Sequence, residues 1–302
     1  MKINYRIKFT FPMNKYLPSF FINVKIEFMA TVVVIINHKE ELSTYEKISL
    51  TQCIKVLSRR QVWMVVPDYL NTDLIQASFS KIKILRVKSS YLSNYRNFNR
   101  FKINPFLYEY FSDYQYLLYY ELDAFVFSDQ LDEWCAMGYD YIGAPWITKD
   151  KSFHFLGVGN GGLSLRKISS HKRVLRTFCR LQSNLQTLKW YSNFNLKGKV
   201  GYFSEFLLRL LGLRGNTRWQ FNDYSGNEDE FWSHMGSLFS WFKIPDAAIA
   251  LQFSFEMCPE ELFVLNSNKL PFGCHAWYKA DQLNFWRPFI IKEGYTLGDE
   301  NS

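Results

Sequence analysis

Glu121 and Asp123 interrupt the aromatic and aliphatic stretch YLLYYELDAFVF (116–127), one residue apart. Hard carboxylate oxygens gathered at a strand end suit Mg²⁺ or Mn²⁺, and such an ion can bridge two phosphates. Acids also follow strands simply as turn or cap residues, so the pair alone leaves both readings open. If the strand continues through them, alternation puts the two side chains on one face. His275, in PFGCHAWYK, would complete a metal site with Asp123, since Mn²⁺ accepts a neutral imidazole; a lone histidine is otherwise more often structural. NEDEF sets Glu228, Asp229 and Glu230 at the start of a predicted helix. The helix dipole favours acids there whatever their use. The functional alternative is a general base, Asp229 or Glu228, that takes the proton of an attacking hydroxyl. In VGNGGLSLRK, Gly159, Gly161 and Gly162 let backbone approach a ligand closely, with amides free to face a sugar or phosphate; an ordinary loop is the alternative. The spacing is not the GxGxxG dinucleotide fingerprint and does not follow the first strand. Trp146, in GAPW, and Trp277 offer ring faces to a sugar, or else fill the core.

These residues need elements to hold them. TVVVIIN (31–37) is an unbroken apolar run, the pattern of a strand buried on both faces of a parallel sheet. ELSTYEKISLTQCIKVLSRR (41–60) reads as an amphipathic helix, with Ser43 and Glu46 as its capping box. QVWMVV (61–66), closed by Pro67-Asp68, and KIKILRV (81–87) are further strands. NPFLYEYFS (104–112) fits a short helix capped by Asn104 with Pro105 at its first position. The order β-α-β-(α)-β predicts an α/β, Rossmann-like domain with a mostly parallel central sheet flanked by helices. Ligands of such sheets sit outside the carboxyl ends of the strands, which gathers Asn37, His38, Asp68, Glu121 and Asp123 at one mouth. Two basic amphipathic helices, 171–190 and 203–215, are expected to cover the sheet; the alternative is a peripheral seat on an anionic membrane.

At 302 residues, 48% apolar and 21% charged, the chain is globular and reads as one domain over 29–285. Residues 1–28 read as a leader or mis-assigned extension ahead of Met29, and 286–302 as a C-terminal tail. A net charge of +8 draws anions, but the basic residues form no cluster, which argues against nucleic acid as a partner. Five cysteines without a CxxC pair suit a reduced, cytoplasmic protein. No apolar run reaches the length of a membrane span.

Taken in order, ELDAFVF, YDYIGAPW, GNGGLSLR, NEDEFW and PFGCHAW resemble a largely bacterial family of GT-A-like glycosyltransferases long catalogued as a domain of unknown function. More distantly, the layout is similar to the Fringe and β-1,3-galactosyltransferase group. The resemblance implies a GT-A-like fold and a nucleotide-sugar donor, usually a UDP-sugar, whose diphosphate is held by Mn²⁺ or Mg²⁺. It also implies transfer of the sugar to a hydroxyl of a glycan or lipid-linked acceptor. Asp123 would be the DxD-type acid, Glu228-Asp229 the source of the base and His275 the late metal ligand. The sequence departs from DxD at Phe125, which keeps a second expectation alive: a non-catalytic nucleotide-sugar or glycan binding protein.

Overall fold

Thr31–Ile36 and Tyr116–Tyr120 are buried along their whole length, as unbroken apolar strands should be. They lie side by side and parallel at the centre of a six-stranded sheet. A computed structural model describes residues 3–8, 21–26, 31–148, 154–279 and 282–298. Across the sheet the order is Lys83–Val87, Gln61–Pro67, Thr31–Ile36, Tyr116–Tyr120, Leu163–Lys167, Tyr141–Ile142. The first four are parallel; Leu163–Lys167 runs antiparallel to both of its neighbours. The chain therefore builds outward from Thr31–Ile36 on one side, then returns to lay Tyr116–Tyr120 on the other. That reversal opens a crevice at the strands' carboxyl ends, where α/β sheets bind ligands.

Alternation divides the central strands between two cores. Val33, Ile35, Tyr116, Leu118 and Tyr120 pack on the side covered by helix Thr44–Val56, while Val32, Val34, Ile36, Leu117 and Tyr119 face the other. The second side carries helices Tyr95–Lys102, Pro105–Tyr110, Ile168–Arg176 and Glu228–Ser237. Ser43 and Glu46 form the expected capping box, and Asn104 caps a helix whose first residue is Pro105.

A three-stranded sheet stands beyond the crevice. Phe125–Val126 pairs antiparallel with Gly273–Cys274, which pairs parallel with Ser254–Phe255. Phe125, Phe255, Trp277, Trp286 and Ile290 form a third core beneath it.

Three expectations change. The predicted helix 171–190 is two helices, Ile168–Arg176 and Asn184–Ser192, because Thr177 turns extended and Ser183 with Gln186 forms a fresh capping box. Only the first covers the sheet, burying His171, Val174 and Leu175. The predicted helix 203–215 stops at Leu210, where Gly212 and Gly215 take positive φ, and Leu196–Gly201 precedes it. Residues 286–302 are not simply a tail: helix Gln282–Lys292 runs through the proposed boundary and buries Trp286 completely. Of residues 1–28, Ile3–Lys8 and Phe21–Ile26 pair antiparallel with each other, apart from the six-stranded sheet. Met29 lies outside the described residues.

Candidate active site

The central strand ends at Tyr120, and the chain turns, with the Ala124 amide donating to the Glu121 carbonyl at 2.9 Å. Glu121 and Asp123 thus come together through a turn and not through strand alternation. The short ladder between Phe125 and Cys274 sets the next piece in register, so that His275 arrives beside Asp123. Its Nε2 lies 3.2 Å from Asp123 Oδ1 and 3.5 Å from Glu121 Oε2. On the ring's far side Nδ1 is 3.0 Å from Glu256 Oε1. Burial pushes the imidazole pKa down, but the surrounding Asp123, Glu121 and Glu256 hold it well above the ordinary histidine range. Burial also opposes the charge on Asp123, and His275 and Lys279 outweigh it, keeping the carboxyl below its usual value.

Glu121 Oε2, Asp123 Oδ1 and His275 Nε2 are the convergent atoms. Ligand atoms of these three residues lie within 4.8 Å of one another. A mixed oxygen and imidazole set suits Mn²⁺, and Mg²⁺ on its oxygens. His275 Nε2 is buried facing Asp123 and Glu121 while Glu256 holds the other nitrogen, so an ion bound there would displace the proton that Nε2 now shares with the two acids. The residues present fit such an ion. Asp123 is also paired with Lys279, and Glu121 Oε1 accepts from Lys102 Nζ at 2.6 Å.

Behind the cluster runs a buried line of ion pairs. Lys102 Nζ is 3.4 Å from Glu228 Oε1, and Arg166 Nη2 lies 3.0 and 2.9 Å from the two Glu228 oxygens. Arg166 and Glu228 are at most 1% exposed. Glu228 is therefore a structural counter-ion, clamped between two cations out of reach of a hydroxyl, and not a candidate base. Glu228→Ala would leave Arg166 buried with no carboxylate; unfolding in urea should show a loss of about 3–5 kcal/mol.

Asp229 differs from its neighbour. It is half-buried, and its Oδ2 accepts from the Asn160 amide at 3.0 Å. Burial, then the Glu228 and Glu256 charges, push its pKa up to about 6, against the pull of the Asn160 and Glu230 amides. A carboxylate with that pKa takes a proton readily near neutral pH.

The glycine loop acts by leaving room. A side chain on Gly161 would overlap Glu228, and one on Gly162 the His275 ring. The Gly162 amide does not face a ligand: it donates to Asn160 Oδ1 at 2.8 Å, and the Gly162 carbonyl accepts from the Glu121 amide at 2.7 Å. Asn160, at φ 93°, is fully buried and braces this turn, a role the GNGG pattern did not reveal.

A cleft of about 210 Å³ joins the cluster to the carboxyl end of strand Thr31–Ile36, lined by Asn37, His38, Lys39, Glu121, Asp123 and Lys279 among others. Asn37 is buried there with its amide closing a turn onto Lys39, so its side chain is already engaged. His38 is exposed at the mouth. Asp68 is exposed past the neighbouring strand and does not line the cleft. Trp277 is a correction: it is completely buried between Tyr45, Phe125 and Tyr278, with Nε1 donating to Ser49 Oγ at 2.8 Å, and has no face for a sugar. Trp146 is half-buried, its ring laid against Gly159.

Lys102, Arg166, Glu256 and Lys279 were not singled out from sequence. A charged residue inside the apolar strand LSLRK was the readable signal for Arg166; Lys279 stood in the PFGCHAWYK motif without a role.

The family model described as Protein of unknown function (DUF5672) matches residues 81–275, which hold Glu121, Asp123, Asp229 and His275. The chain belongs to that family. A search of curated proteins finds no match to this DUF5672 sequence. Among solved structures it is similar to a galactosyltransferase, LgtC, in complex with donor and acceptor sugar analogs, at 12% identity and TM-score 0.48, covering 89% of this chain and 97% of that one. It is also similar to mouse xyloside xylosyltransferase 1 at 10% identity and TM-score 0.43, covering 81% and 97%. The glycosyltransferase GlyE of Streptococcus pneumoniae TIGR4 aligns at 14% identity and TM-score 0.40, covering 87% of this chain and 62% of that one.

Proposed function

We propose that this DUF5672 protein is a GT-A-like glycosyltransferase that moves a sugar from a nucleotide-sugar donor, a UDP-sugar first, to a hydroxyl of a glycan or lipid-linked acceptor. One observation carries the reading: Glu121, Asp123 and His275 converge at the strand-order reversal, where a diphosphate would lie. A bound Mn²⁺ or Mg²⁺ would neutralise charge on the departing nucleoside diphosphate. Glu121, Asp123 and His275 would hold that ion, with Glu256 fixing the imidazole tautomer. Lys279, half-exposed at the cleft, would meet the donor's negative charge. Asp229 would accept the proton of the acceptor hydroxyl as the new glycosidic bond forms. Trp146 remains the proposed sugar-facing ring, with His38 at the donor's entry. A reducing, cytoplasmic setting, read from five cysteines with no CxxC pair, is part of the proposal.

The test is nucleotide release and binding across UDP-, GDP-, CMP- and dTDP-sugars, with Mn²⁺ and with EDTA. Release of one nucleotide that needs the ion is expected. No binding to any donor under either condition would overturn the proposal.

A second reading, a binder without turnover, has its own support. Lys102 and Lys279 already counter Glu121 and Asp123, and Phe125 is fully buried in the third core where DxD would have an acid. Donor binding without release, even with a panel of acceptors supplied, is what that reading predicts.

A further inference from the structure

The helical lobe of residues 184–214 has its apolar side chains arranged the wrong way round for a domain core. Helices Leu196–Gly201 and Phe203–Leu210 contain no buried residue. Nine of the 23 exposed large apolar side chains described fall between Leu185 and Leu213, so this is a patch and not the ordinary scatter of surface leucines. Leu196, Val200, Phe203, Leu207 and Leu211 follow one another at steps of four and three, which is one stripe along near-continuous helix; they are 81, 74, 53, 41 and 72% exposed.

The lobe's other side explains why that stripe faces out. Tyr191 stacks on Phe206 with centroids 4.1 Å apart, and Trp190, Phe194 and Tyr202 pack edge to face and tilted. Arg209 lies over Trp190 and Trp219 and binds Glu205. Aromatics thus hold the lobe's helices to each other, and arginines tie it to the domain, Arg209 through Trp219 and Gln182 and Arg180 through the Arg209 and Leu210 carbonyls, with the aliphatic stripe left over.

Its charge selects the occupant. Residues 184–214 carry five basic side chains and one acidic, Glu205, which is already paired with Arg209 and Arg214. Lys189 and Lys197 are exposed and have no ion-pair partner among the described residues. A second copy of the lobe would bring like charges together. An aliphatic stripe flanked by lysines matches the acyl and headgroup layers of an anionic leaflet.

We propose that residues 184–214 seat the protein on an anionic membrane surface, the Leu196–Leu211 stripe entering the interface and Lys189, Lys197 and Lys199 meeting lipid phosphates. No described helix is long and apolar enough to cross a bilayer, so the association is peripheral. The inference stands apart from donor chemistry, although a seat of this kind would bring the crevice to a lipid-linked acceptor.

Sedimentation of the full chain with vesicles tests it, in the absence of any nucleotide sugar. Binding to phosphatidylcholine vesicles containing phosphatidylglycerol is expected, with weaker binding to phosphatidylcholine alone and loss on raising salt. Leu196→Ser with Val200→Ser and Leu211→Ser should cut the bound fraction at least about tenfold at unchanged Tm, since all three sites are mostly solvent-exposed. Lys189→Ala with Lys197→Ala and Lys199→Ala should remove the preference for anionic lipid, and serves as the check if the serine variant melts early. Absence of vesicle binding, binding unaffected by both variants, or self-association that the serine substitutions abolish without any lipid binding would overturn the proposal.

Discussion

Asp123→Asn is expected to abolish metal-dependent nucleotide release, by at least about 10³-fold, while the protein still folds. Asp123 contributes the most buried carboxylate of the cluster, with Oδ1 toward His275 and Oδ2 toward Lys279. Charge stabilisation by a held cation amounts to several kcal/mol, and about 4 kcal/mol corresponds to that loss in rate. The substitution preserves shape and removes charge, so it separates ligation from packing. A second readout needs no turnover: Mn²⁺ at about 100 times its Kd should raise wild-type stability by about 2.7 kcal/mol, and should leave Asp123→Asn and His275→Ala almost unmoved. Full nucleotide release by Asp123→Asn would remove Asp123 from the donor site.

Asp229→Asn should lose about 10²–10⁴-fold in transfer with donor affinity kept, the usual size of a general-base contribution. The same substitution should change stability in the opposite sense. The folded pKa, about 6, lies above the ordinary 3.8, so between these values the native state holds a proton that the unfolded chain has released. Stability therefore falls as pH rises through that window, by about 3 kcal/mol for the full step from 3.8 to about 6 and nearer 2 kcal/mol once the solvent reaching this half-buried carboxyl is counted, and stays lower above it. Asparagine removes the buried charge but also one acceptor, since the Asn160 and Glu230 amides use both carboxylate oxygens. The net expectation is a gain of about 1 kcal/mol at pH 8 and none at pH 4. Chemical denaturation of both proteins at the two pH values checks the sign. An inactive variant that is also less stable at pH 8 would point to a structural role. A variant that keeps its turnover would fit a retaining reaction, in which the base role disappears.

The architecture was legible wherever a local pattern decides it. TVVVII and YLLYY read as doubly buried strands because no polar residue marks an outer face. Ser43 with Glu46, and Asn104 with Pro105, set helix starts that tertiary contacts had no reason to override. Helix 171–190 failed because its apolar spacing continues across Thr177, while the backbone conformation there does not. For the site, residue type and strand ends were enough to name Glu121, Asp123 and His275, which the fold does bring together. The partners of buried charges were not readable: Lys102 and Glu228 meet only because two helices distant in sequence pack on one face of the sheet. Trp277 shows the matching limit for aromatics, since nothing in PFGCHAWYK says which side of the turn is wet.

The reversal of strand order has a kinetic consequence. Tyr116–Tyr120 finds its parallel partner, Thr31–Ile36, only after two intervening strands and their crossovers, while its other neighbour is made later still. Loop-closure entropy opposes such pairings before their contacts form, so folding is expected to be slow and the central pairing a late event. Until it happens, Asn37 and His38 stand far from Glu121, and His275 has no ladder to dock against. A partly folded chain should therefore collapse around helix Thr44–Val56 and its two flanking strands without yet owning any affinity for a nucleotide.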